Sequence, residues 1–178
     1  MAATAATRKS SKTEQKGLEE LMLDGLKDIY YAEKKILKAL PKMARGAQGD
    51  EVSAAFEKHR DETETHVERL EQVFEMMGKP ARGKTCPAID GIVEEGSEIL
   101  EEYKGAAAID AGLVGAAQAV EHYEIARYGT LIAWAEQLGM KDAAKLMQET
   151  LKEEMATDEA LSKLGEGGVN KRAMDEAA

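Results

Sequence analysis

The sequence predicts an all-α protein: an antiparallel bundle of four long helices, with an extra short helix in the crossover between its two halves. Three observations carry this expectation. Apolar residues recur with the 3.6-residue helical period over four long segments, and no segment alternates apolar and polar residues as a half-buried strand does. Aromatic residues make up only 4% of the 178 residues, whereas sandwiches and barrels draw heavily on aromatic and β-branched side chains. Glycines stand where the periodic segments stop, at Gly46, Gly78 and Gly139, as helix C-termini favour.

Residues 1–17 carry Arg8, Lys9, Lys12 and Lys16 against Glu14 alone, a charge of about +3, and hold no apolar face to bury. A disordered basic tail is expected there. The first stripe follows as Leu18, Met22, Leu26, Ile29, Glu33, Ile36, Leu40 and Met43. The second runs Val52, Phe56, His59, Thr63, His66, Leu70, Val73 and Met77. Gly83 and Pro87 mark a linker, and Ile89, Ile92, Val93, Ile99 and Leu100 form a shorter helix. The third long stripe, from about residue 106 to 138, carries Val114, Ala117, Glu121, Glu124, Tyr128, Leu131 and Ala135. The last carries Ala143, Met147, Leu151, Glu154, Asp158 and Leu161. Residues 18–164 thus form one bundle domain. Residues 165–178 are expected to be a flexible tail, because Gly165, Gly167 and Gly168 interrupt the pattern.

Composition excludes several classes of function. A net charge of -10 is unsuited to holding phosphate backbones, so nucleic acid is not expected as a partner. No apolar run approaches the roughly 20 residues that span a bilayer, and the start lacks the apolar stretch of a signal peptide. The single cysteine, Cys86, has no intramolecular partner, which suits a reducing cytoplasm.

The informative residues are ionisable groups on faces that should be dry. Glu33 lies between Ile29 and Ile36. Glu121 and Glu124 are three apart on one stripe, and Glu154 and Asp158 are four apart on another. His59 and His66 share the second stripe, with Glu62 beside them. An isolated buried carboxylate is expensive or becomes protonated, and several together repel one another. A pair of cations among them removes both penalties, and carboxylate plus imidazole donors suit iron or manganese. His122 lies off this face and reads as a supporting or structural residue. The nine methionines read as core filler.

These residues resemble a known group. Asp-Ile-Tyr-Tyr-Ala-Glu ending at Glu33, His-Arg-Asp-Glu-Thr from His59, and Arg69-Leu70-Glu71 are similar to the YciE/YciF-like bacterial stress proteins of the ferritin-like superfamily. So are Cys86-Pro87-Ala88, Glu-His-Tyr-Glu-Ile-Ala from Glu121, Tyr128-Gly129-Thr130, and the run from Glu153 to Asp158. The resemblance covers about residues 17–165. It implies a ferritin-like bundle with a dinuclear metal centre, commonly in a homodimer. The apolar content around Ile92, Val93 and Ile99 fits a second copy as well. Carried over by position, the family pattern falls on Glu33, Glu62, Glu121, Glu124 and Glu154. It departs at Thr65 and Thr157, which stand where the usual Glu-x-x-His has its histidine. The missing donors then fall to His59 or His66 on one side and to Asp158 on the other. An oxygen-rich donor set favours harder ions such as manganese or ferric iron.

Two functions follow. One is a stress-response oxidoreductase with two iron ions (manganese or another divalent metal in their place), acting as a ferroxidase or on dioxygen or peroxide. Glu62 and Glu154 would bridge the ions, with Glu33 and Glu121 terminal. The other is a non-catalytic helical stress protein whose metal site is structural or vestigial.

Overall fold

The computed structural model describes residues 16–175. The expected basic tail lies outside them except for Lys16 and Gly17. Four long helices form the bundle: α1 (Leu18–Gly46), α2 (Asp50–Met76), α4 (Ile109–Gln137) and α5 (Lys141–Leu164). The shorter α3 (Pro87–Glu102) lies in the crossover, and no strand occurs among the described residues.

Each long helix buries most of the stripe read from its sequence, though Leu151 and Asp158 of α5 are only half-buried. On α1 the buried residues include Met22, Leu26, Ile29, Glu33, Ile36 and Leu40. On α2 they include Val52, Phe56, His59, Thr63, His66 and Leu70. A helix of 29 residues is about 44 Å long at 1.5 Å per residue, so antiparallel neighbours meet at their midpoints. α1 pairs with α2 and α4 with α5 as two hairpins, and α2–α5 and α1–α4 contacts join the halves. α3 lies across α4 and α1.

Short connections hold this register. The α1–α2 turn is pinned to the start of α4: the amides of Gln48 and Gly49 donate to Asp110 Oδ1 and Oδ2, each at 2.8 Å. The α4–α5 turn closes at Gly139, whose φ of 74° is the left-handed conformation that glycine reaches without a Cβ penalty. There Met140 N–H donates back to the Ala135 carbonyl at 2.8 Å.

The C-terminal segment departs from its sequence reading. Beyond Leu164 the chain continues through a π turn, Gly165–Val169, into a further helix, α6 (Asn170–Asp175). Gly168 takes the kink with φ 141°. Val169 is buried in the core, and Arg172 pairs with Glu51 of α2. The glycines that read as a loose end serve as a bend that returns the chain to the bundle.

Candidate metal centre

The bundle's midpoint brings together side chains from all four long helices. α1 contributes Glu33, α2 contributes His59 and His66, α4 contributes Glu121 and Glu124, and α5 contributes Glu154; all six are buried. They fall into two groups, within each of which the donor atoms lie inside 4.8 Å of one another. The first group is His59, Glu121, Glu124 and Glu154. The second is Glu33, His66 and Glu154. Glu154 belongs to both.

The geometry within each group is specific. His59 Nε2 lies 3.2 Å from Glu121 Oε1 and 3.8 Å from Glu154 Oε2. His66 Nδ1 lies 3.0 Å from Glu154 Oε1 and 3.7 Å from Glu33 Oε1. The outward nitrogens have their own partners. His66 Nε2 is 2.9 Å from Glu153 Oε2, and Arg69 grips that carboxylate, with Nη2 donating to Oε1 at 3.0 Å. When a metal displaces the second ring proton, a proton kept on Nε2 would leave the Nδ1 lone pair facing inward, which is how carboxylate partners orient ligating imidazoles. His59 Nδ1 faces the Thr157 hydroxyl at 3.4 Å and Glu62 Oε2 at 3.9 Å, leaving Nε2 inward. On α4, Tyr128 donates its hydroxyl to Glu33 Oε1.

Electrostatics follow from this crowding. Burial raises Glu33, and the Glu154 charge adds to it, while His66 and Tyr128 oppose the rise. Burial and the neighbouring Glu154 push Glu121 up to about 10. Burial, then the charges of Glu33, Glu154 and Glu121, place Glu124 well above the carboxylate range. Burial works against a charged His66, but contacts with Glu154 and Glu33 outweigh it and hold the ring at about 11. Glu62, at the rim, is held down at about 2 by His59, with Lys58 assisting and burial opposing.

Nine buried side-chain nitrogen and oxygen atoms among the described residues have no hydrogen-bond partner. All nine belong to Glu33, His59, Glu62, His66, Glu121, Glu124 and Glu154. Buried polar atoms are otherwise nearly always paired. A set of orphaned lone pairs confined to one cluster of carboxylates and imidazoles fits metal cations in both donor type and charge.

The chain is similar to known proteins over nearly its whole length. A family described as "Domain of unknown function (DUF892)" matches residues 17–174. Protein YciF of Escherichia coli (strain K12) is 44% identical over 163 residues, covering 91% of this chain and 98% of that protein. The chain belongs to the YciE/YciF-like DUF892 family. The crystal structure of the E. coli stress protein YciF has a TM-score of 0.84 at 44% identity, covering 88% of this chain and 99% of that one. YcfI from Rhodopseudomonas palustris gives 0.80 at 47% identity, covering 85% and 96%. The family lies within the ferritin-like superfamily, and the bundle with its helical crossover is that fold.

Against the positions expected for a YciE/YciF-like protein, six residues converge: Glu33, His59, His66, Glu121, Glu124 and Glu154. Glu62 is half-buried at the rim, paired with Lys58 and outside both groups. Asp158 does not join them. Its Oδ1 lies 3.3 Å from the exposed His122 and 3.4 Å from Gln118 Nε2. The two imidazoles are not alternatives, since each group takes one. Glu153 and Arg69 stood inside quoted motifs without a role; Arg69 lies three residues after His66, on the same side of α2. Thr157 stands in the place of a histidine and turns its hydroxyl to His59.

Proposed function

We propose that this protein is a cytoplasmic stress-response oxidoreductase that binds two metal ions, iron or manganese, at the centre of its bundle and acts on dioxygen or peroxide. Ferrous iron would be oxidised there in a ferroxidase role. The observation that carries this reading is that eight of the nine unpartnered buried polar atoms belong to the six residues of the two groups, and the ninth to Glu62 at their rim.

Glu33 and His66 would hold one ion, and His59, Glu121 and Glu124 the other, with Glu154 shared. When bound, the ions supply the electrons that reduce an oxidant. The chain's own residues do the rest. Arg69 and Glu153 fix the His66 ring and its tautomer. Thr157 and Glu62 flank the outward nitrogen of His59. Tyr128 donates its hydroxyl to Glu33 Oε1 on a fully buried side of the cluster. Expected to act as a homodimer, the protein would sediment above its 19.3 kDa monomer mass at micromolar concentration.

A structural or vestigial site is favoured by one observation: Glu121 and Glu124 carry raised pKa values, so protons can stand in for metal at neutral pH. Anaerobic loading with ferrous iron followed by air separates the readings. The oxidoreductase consumes oxygen and develops a ferric absorption band; a structural site binds ferrous iron and stays colourless.

A further inference from the structure

A cavity of about 1030 Å³ opens between α1, α3 and α4 and runs down to the cluster. Its floor is formed by His59, Glu121 and Thr157, all buried. Leu40, Phe56, Val93, Val120 and Leu161 are among the side chains of its apolar wall. Its outer part is cationic: Lys34, Lys35, Lys38, Lys42 and Arg82 line it, against Asp90 and Glu94. Asp90 is already engaged, with Lys35 Nζ at 2.9 Å and the Tyr31 hydroxyl at 2.9 Å. Lys38, Lys42 and Arg82 make no ion pair among the described residues.

The cavity is open to solvent at its mouth, and ligand pockets span about 300–1,000 Å³, so its size admits a small molecule. The cationic rim is notable on a chain of net charge -10, and it repels metal cations. It also repels the basic N-terminal segment, so that segment is a poor occupant. A polar anion alone would leave the wall unsatisfied, and an apolar molecule would leave the lysines unused. We propose that the cavity binds an anionic amphiphile, a long-chain carboxylate, with its headgroup on Lys38, Lys42 and Arg82 and its alkyl chain directed toward His59 and Glu121. The reverse orientation is disfavoured because the floor is itself rich in carboxylates.

The test is calorimetric titration of the metal-free full-length chain with dodecanoate, dodecanol and dodecyltrimethylammonium, each below its micellar concentration. Dodecanoate should saturate at one molecule per chain, with the alcohol about tenfold weaker and the ammonium about a hundredfold weaker, as charge complementarity at a partly desolvated mouth requires. The K38E/K42E double substitution, on exposed positions that leave the fold intact, should weaken dodecanoate about tenfold or more and strengthen the ammonium. Val120→Trp should abolish dodecanoate binding by filling the wall, with circular dichroism checking the fold. Absence of saturable dodecanoate binding, or equal affinity for all three headgroups, overturns the proposal. So does a dimer whose interface seals the cavity and that binds dodecanoate only after dissociation. No metal is present in the titration, so its failure leaves the metal-centre reading untouched.

Discussion

Glu154 turns its two oxygens to two different imidazoles: Oε1 lies 3.0 Å from His66 Nδ1, and Oε2 lies 3.8 Å from His59 Nε2. Both histidines stand on α2, seven residues apart. That spacing places them on one face about 10.5 Å apart along the axis at 1.5 Å per residue, and each falls in a different donor group. Their rings lean toward each other to 6.2 Å between centroids, and the Glu154 carboxylate fits between them. Glu154 would thus be available to both ions, with one imidazole beside each of its oxygens.

Glu154→Gln should therefore weaken both binding events at once, whereas Asp158→Asn should leave both unchanged. Two-step metal titrations of the variants check this. Loss of one step only in Glu154→Gln, or any loss in Asp158→Asn, would place the bridge elsewhere.

Arg69→Met should act on one ion. With Arg69 gone, Glu153 loses its bidentate partner and no longer fixes His66. Removing such an orienting partner costs about 10–100-fold in metal affinity. The titration should show one weakened step, with the step assigned to His59 intact.

The metal-free protein should lose stability as pH rises. Glu121 is raised from 4.5 to about 10 and His66 from 6.5 to about 11, so the folded state binds more protons than the unfolded one between those limits. Stability is then highest at or below the unfolded pKa of each group and falls as pH climbs toward the folded values. Glu62, held at about 2, acts oppositely and costs stability only below about pH 4.5. Thermal melts of metal-free protein from pH 6 to 10 should show a steady decline. A flat profile would mean that these groups do not carry the proton load described.

Glu121→Gln extends that argument. At pH 7 the folded chain keeps a proton on Glu121 that the unfolded chain gives up, a cost on the order of 3 kcal/mol. The amide keeps the volume and removes that cost, so the metal-free variant should melt higher by roughly 6–12 °C, at 2–4 °C per kcal/mol for a chain of this size. Its metal affinity should fall tenfold or more. An ordinary core or surface glutamate would not move the two quantities in opposite directions.

Much of this was legible in the sequence, for definite reasons. Helical periodicity assigns a residue to a face to within about 100°, which suffices to put Glu33, Glu121, Glu124 and Glu154 inside. It does not decide what happens at the edge of the stripe. Asp158, four residues after Glu154, is rotated about 40° one way at 3.6 residues per turn and turns to Gln118 and His122 of α4. Thr157, three residues after, is rotated about 60° the other way and meets His59. Which neighbour each side meets depends on how the helices pack, and a single helix does not encode that. The same limit hid the Glu153–Arg69 pair, which joins α5 to α2 across 84 residues of sequence. At the C-terminus, glycine count outweighed Val169, a lone apolar residue whose buried place depends on the Gly168 kink.

The central claim is that the buried carboxylates and imidazoles form a site for two metal ions, and the melting temperature of wild-type protein at neutral pH, with and without ferrous or manganous ion, tests it most directly when bound metal is counted in the same sample. Two ions per chain are expected. At a free concentration a hundredfold above Kd, each ion contributes about 2.7 kcal/mol, a rise of roughly 5–10 °C per ion. A melting temperature indifferent to both metals, with no ion retained, would contradict it.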